Sequence, residues 1–192
     1  TLEPFFVEGL QNFGENYVQE GLPKVKFFRE RDLNATWHLI GALQSNKARE
    51  AVAHFDLIHS LDRLSLAKEL DKEARKLGKI QRVLIQVNVG HEDSKAGADP
   101  EAVPQLLEAC SAFSNLQVEG LMSLPPYNDD AEQTRPYHRH LRELRETLMS
   151  SKHPLPILSM GMSRDFEIAI EEGATHVRIG TALFGTRSYT AQ

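Results

Sequence analysis

Short apolar and β-branched runs alternate along this chain with longer stretches whose apolar residues recur at helical spacing, the pattern of βα units around a parallel sheet. Strands are predicted at Gln11 to Phe13, Trp37 to Gly41, Leu57 to Ser60, Arg82 to Val89, Leu116 to Leu124, Pro156 to Gly161 and His176 to Phe184. Val83-Leu84-Ile85 and Leu155-Pro156-Ile157-Leu158 are almost continuously apolar, which suits strands buried on both faces. Between the strands lie helix signals. Asp99-Pro100-Glu101 offers a cap, a first-turn proline and an acidic residue at the positive end of the dipole. Asp129 with Glu132 resembles a capping box. Asp62 is placed to cap a helix over Leu64 to Leu77 that Gly78 ends, and a further helix is expected over Arg164 to Glu172.

The chain opens in a helix-like segment, Leu2 to Glu8, ended by Gly9, and reaches a strand only afterwards. Seven strands behind a leading helix fit the α/β class and a (β/α)8 barrel of the TIM type whose first strand is missing; a doubly wound sheet with seven strands is the alternative. No internal repeat, low-complexity tract or linker divides the sequence, so residues 1–192 are read as one domain, with Pro125-Pro126-Tyr127-Asn128 as a loop.

Composition narrows the function classes. The 192 residues, 41% hydrophobic and 26% charged, suffice for a substantial core. A formal charge of −5 speaks against a dedicated nucleic-acid surface, which needs clustered cations. No apolar run approaches the ~18 residues of a membrane span, and Thr1 to Phe6 lacks the basic and apolar regions of a signal peptide. The one cysteine, Cys110, sits in a helical apolar pattern and is read as core packing in a reducing, cytoplasmic compartment.

Candidate chemistry concentrates after the predicted strands, where a barrel keeps its functional mouth. Ser159-Met160-Gly161-Met162-Ser163 precedes a helix; glycine lets backbone amides approach an anion, and Ser163 either caps that helix or donates to a phosphate oxygen. In Val177-Arg178-Ile179-Gly180-Thr181, period-two alternation puts Arg178 and Gly180 on one face. An inward Arg178 calls for an anion, an aromatic ring nitrogen or a nearby carboxylate. Asn16 is a helix cap or a pocket residue, His38 is read as a hydrogen-bonded core histidine in preference to a catalytic base, and Lys47 as a solvated helix residue. The eight histidines show no metal-ligand spacing, and His138 and His140 are expected on an exposed helix face. No Gly-x-Ser-x-Gly elbow or Walker loop occurs.

Taken together, Phe13-Gly14-Glu15-Asn16-Tyr17-Val18-Gln19-Glu20, Trp37 through Lys47, Ser94-Lys95-Ala96-Gly97, Gly120-Leu121-Met122, Ser159 through Ser163 and Val177 through Gly185 resemble the pyridoxal-phosphate homeostasis family, related to the alanine racemase barrel. The resemblance implies a fold-type III barrel that binds pyridoxal 5′-phosphate (PLP) and acts in vitamin B6 balance as a carrier or regulator without established turnover. It implies that Ser159, Gly161, Met162, Ser163, Gly180 and Thr181 meet the phosphate. Arg178 would face the pyridine nitrogen, while Asn16 and the strand end from His38 to Gly41 flank the ring. Implied partners are PLP and PLP-dependent apo-enzymes, with no nucleic acid and no membrane, in a monomer or weak dimer. The family's cofactor-anchoring lysine stands in a Ser-Lys-Thr context ahead of the position matching Thr1; no Ser-Lys-Thr occurs here, and the sequence is expected to start inside a longer barrel. Neither Lys47 nor Lys95 is assigned that role. Two alternatives are an amino-acid racemase, which would need a tyrosine from a further domain, and a sugar-phosphate isomerase or aldolase.

Overall fold

The computed structural model describes residues 2–92 and 96–185. Its elements run α1 (Glu3–Val7), β1 (Asn12–Glu15), α2 (Val18–Arg29), β2 (Thr36–Leu39), α3 (Ala48–His54), β3 (Leu57–Leu61), α4 (Leu64–Lys76) and β4 (Gln81–Val87). They continue with α5 (Val103–Cys110), β5 (Leu116–Ser123), α6 (Arg135–Leu148), β6 (Ile157–Met162), α7 (Phe166–Glu171), β7 (His176–Arg178) and α8 (Thr181–Phe184). The seven strands form one sheet in sequence order, every pair parallel. In a flat sheet β2 and β7 would be about 24 Å apart, at ~4.8 Å per strand. Instead the rings of His38 on β2 and His176 on β7 are 5.9 Å apart, so the sheet curls into a nearly closed barrel. Among the described residues nothing pairs with the outer edges of β1 and β7, and the ring is open there. Outside that seam, Phe5 of α1 meets Phe184 of α8 edge to face at 4.9 Å.

Strand alternation separates two environments. Outward residues such as Trp37, Leu39, Val83, Ile85, Leu121, Leu158 and Met160 join the apolar stripes of the helices in one large core. Inward residues Leu57, Leu84, Met122 and Ile157 form a separate, small apolar cluster in the lumen. The apolar stripe of α4, Leu66, Ala67, Leu70 and Ala74, is wholly buried, which is why that segment holds its helix against the sheet.

Several local expectations change. The last strand stops at Arg178, and Thr181–Phe184 is helical rather than extended: β6 ends at Met162, opposite Arg178, so an extended chain beyond would have no ladder partner. Asp62 does not cap α4; Arg63 is the cap residue and its guanidinium holds the Asp62 carboxylate at 2.5 Å. Asp130, not Asp129, caps the turn before α6, accepting from the Glu132 N–H at 3.1 Å, while Asp129 accepts from the Tyr127 hydroxyl. Asp99 makes no side-chain cap bond; a 3-10 turn, Pro100–Ala102, leads into α5. His138 is not on an exposed face but fully buried, because α6 packs its His138 and Leu141 side inward, where Asp165 Oδ2 lies 2.8 Å from the imidazole Nε2. Cys110 is buried, as its apolar pattern predicts, and burial pushes its thiol up to about 11.

Candidate functional site at the barrel mouth

A chain of hydrogen bonds crosses the lumen below the C-terminal ends of the strands. Arg178 donates from Nη1 to Ser159 Oγ and from Nη2 to the Ser123 carbonyl, each at 2.8 Å. Ser159 Oγ lies 2.9 Å from His59 Nδ1, His59 Nε2 lies 2.9 Å from His38 Nδ1, and His38 Nε2 lies 3.1 Å from Asn12 Oδ1. One proton arrangement satisfies every link. The Asn12 carbonyl oxygen only accepts, so His38 carries its proton on Nε2 and accepts at Nδ1 from His59 Nε2–H. His59 Nδ1 then accepts the Ser159 hydroxyl proton, which leaves the Ser159 lone pairs to Arg178.

Electrostatics keep both imidazoles neutral. Burial, then His176, then Arg82 push His38 down to about 4 against the opposing pull of Asp56. Burial, then His38, Arg178 and His176, hold His59 well below the ordinary histidine value. Burial also lowers Arg178, to about 10, with Asp165 acting the other way, so the guanidinium stays charged at neutral pH. No carboxylate forms an ion pair with Arg178 among the described residues, and none of its nitrogens is sealed off without a partner.

Two loops rise above this chain. Ser163 does not cap α7, whose cap residue is Asp165. Its Oγ accepts the N–H groups of Gly180 and Ala182, both at 3.2 Å, and so ties the loop after β6 to the turn after β7. Gly161 has φ +88°, and a Cβ there would stand 2.5 Å from the Ala169 Cβ; glycine allows both the turn and the close approach of α7. The Met162 N–H is already bonded to Asp165 Oδ1 at 2.7 Å, so Met162 is not a free amide donor for a phosphate. Burial raises the Asp165 carboxyl, but bonds from His138 and Met162 outweigh it and leave it below the usual range. Ser159 is fully buried, and its Oγ is bonded to His59 and Arg178. Gly180 and Thr181 are exposed, and a Cβ on Gly180 would meet no atom within 4 Å, so the space above it is open.

At the other side of the mouth a Cβ on Gly41 would lie 2.0 Å from the Asn16 carbonyl oxygen; the two backbones touch, and only glycine permits it. Asn16 is exposed there and caps no helix, Tyr17 being the cap residue of α2. Lys47 stands on a 3-10 turn, Ser45–Lys47. Ser94 and Lys95 of the quoted motifs lie outside the described residues.

The model of the family described as alanine racemase, N-terminal domain, matches residues 3–188. A pyridoxal phosphate homeostasis protein of Aquifex aeolicus is 51% identical over 190 residues, spanning 98% of this chain and 82% of that protein. The chain belongs to the pyridoxal phosphate homeostasis protein family. Its relative of that name in Pseudomonas aeruginosa is 47% identical over 184 residues, 95% of this chain and 77% of that one. PipY of Synechococcus elongatus, solved with PLP bound, superposes with a TM-score of 0.87 at 38% identity, covering 96% of this chain and 86% of PipY. The alanine racemase of Clostridium difficile shares the fold, with a TM-score of 0.76 at 16% identity over 98% of this chain and 50% of the racemase.

In this family member, sequence reasoning missed His59, Asn12, His138 and Asp165. His59 carried a signal, being on the same strand face as Leu57 by alternation and the polar break in Leu57-Ile58-His59-Ser60-Leu61. His138 carried a weaker one, at i−3 from Leu141 and next to the Tyr137, Leu141, Leu144 and Leu148 stripe.

Proposed function

We propose that this chain binds PLP at the C-terminal mouth of its barrel and serves intracellular vitamin B6 homeostasis as a carrier or regulator, without catalytic turnover of its own. On this reading it is one domain, a cytoplasmic monomer or weak dimer, and it delivers PLP to PLP-dependent apo-enzymes. The observation that carries the proposal is Arg178: a lumenal cation whose two bonded partners are a hydroxyl and a carbonyl, lying below loops rich in hydroxyl and glycine. A half-buried lumenal cation without a carboxylate favours an acceptor that a ligand brings. The names of the relatives and the PLP in PipY point to the same ligand class.

The residues present fit the cofactor. Gly180 leaves open space for a phosphate, Thr181 follows it in the same exposed turn, and the Ser163 oxygen fixes the backbone of that turn. On this reading Arg178 would donate to a pyridine nitrogen, which would keep that nitrogen unprotonated and the ring a weak electron sink. Gly41 and Asn16 form the opposite wall, and His38 contributes from below, through His59. When bound, PLP supplies an electrophilic aldehyde; the chain would bind it and orient it.

Equilibrium dialysis tests this reading. PLP is expected to be retained and pyridoxal, which lacks the phosphate, to be lost. Equal retention of both, or of neither, would sink the proposal. Racemisation of amino acids in proportion to protein added would replace the carrier with an enzyme.

A further inference from the structure

We infer that His59 is the positioning residue for Arg178: acting through Ser159, it dictates which way the serine hydroxyl points and thereby holds the guanidinium aimed at the mouth. The ring-nitrogen consequence rests on the PLP reading above; the positioning itself does not. The geometry is a one-way series of donors running from β7 across the lumen to β6, β3, β2 and β1. Arg178 can only donate, and the Asn12 oxygen can only accept. Between them, each of Ser159, His59 and His38 donates once and accepts from the side of Arg178. Ser159 is the sensitive point. A free serine hydroxyl rotates, and one turned toward Arg178 would set a donor against a donor. His59 Nδ1, 2.9 Å away, is the acceptor that holds the proton on the far side.

The surroundings preserve that state. His59 faces His38 from β2, Ser159 from β6, and Arg178 and His176 from β7, with His38 itself bonded to Asn12 of β1. Arg82 of β4, paired with Glu119 of β5 at 2.7 Å, acts on His176 from the other wall, and Asp56 ahead of β3 acts on His38. The cations Arg82 and Arg178 bracket the histidines and disfavour a further positive charge. Protonating His59 would make Nδ1 a donor and strip the Ser159 proton of its acceptor, so the same arrangement that fixes Arg178 fails when the imidazole is charged.

The test pairs binding with a direct view of the protons. In ligand-free protein at neutral pH, long-range proton–nitrogen spectra are expected to show His59 and His38 each protonated at Nε2 and bare at Nδ1. His59→Leu removes the acceptor and is expected to weaken PLP binding about tenfold; His59→Asn, whose side-chain oxygen can replace Nδ1, is expected to stay within about threefold of the parent. Affinity for inorganic phosphate, which needs no ring contact, is expected to be unchanged in both. Either imidazole protonated at Nδ1, an unaffected His59→Leu, or a His59→Asn as weak as His59→Leu would overturn the inference. If the parent shows the expected protonation pattern yet retains no PLP, the positioning role stands and the PLP reading falls. If His59→Leu does not fold, the parent spectra and His59→Asn decide.

Discussion

The two faces of one sheet have been put to different uses. Outside the barrel, strand residues and helices merge in a continuous apolar core, with the Phe13, Phe28 and Trp37 rings in mutual contact, their centroids 5.3 to 5.5 Å apart. Inside, the apolar layer is reduced to Leu57, Leu84, Met122 and Ile157 on β3 to β6, and the β7, β1 and β2 side carries His176, Arg178, Asn12 and His38. The outer face buys stability. The inner one gives up apolar burial for a fixed cation at the mouth, which is where a ligand can use it.

The strongest way to break this contrast is to cut the outer face. Trp37→Ala is expected to destabilise the fold by about 3–5 kcal/mol, read as a shift in the urea midpoint; a loss under about 1 kcal/mol would show that the outer core is not where stability resides. Gly41→Ala tests the wall of the mouth, where the added Cβ would drive into the Asn16 carbonyl. A loss of about 1–3 kcal/mol is expected, with weakened PLP retention, and an unperturbed variant would mean the two backbones do not touch.

Arg178→Met sharpens the other side of the comparison. It removes a lumenal charge without a carboxylate partner, so stability is expected to hold or rise, while PLP affinity drops about tenfold or more, a cost of about 1.4 kcal/mol or above. Loss of both together would make Arg178 a structural residue. Acidification separates the faces again. His38, His59 and His176 are all held below the ordinary histidine value of about 6.5 in the fold, so the unfolded chain takes up more protons in the interval between. Their contribution is complete above about pH 6.5 and is lost as pH falls toward about 4, where His38 titrates. A urea midpoint that stays level over that range, or a His38→Asn variant that falls just as steeply, would count against it. The smallest effect belongs to the solvent-facing Lys26 and Glu30 pair at 3.7 Å: Lys26→Ala is expected to change stability by less than about 0.5 kcal/mol.

The strands were legible because each carries its outward apolar residues locally, as Val83, Ile85 and Val87 do on β4. Arg178 was legible too, from the alternation of Val177, Arg178 and Ile179. The roles around it were not. Ser159 reads like a phosphate ligand beside Gly161, yet its oxygen is committed to His59, 100 positions earlier in the chain. Ser163 reads like a helix cap, yet it accepts from Gly180 and Ala182. His138 reads like a surface histidine among arginines until Asp165 is folded against it.

The sequence by itself determined the parallel βα order and the residue types at the strand ends, because periodicity and composition act over a few positions. Only the tertiary structure decided which polar atoms are left to a ligand. That depends on curling the sheet until β2, β3, β6 and β7 face one another, and a hydrogen bond across a lumen has no signature in the spacing of the residues that make it.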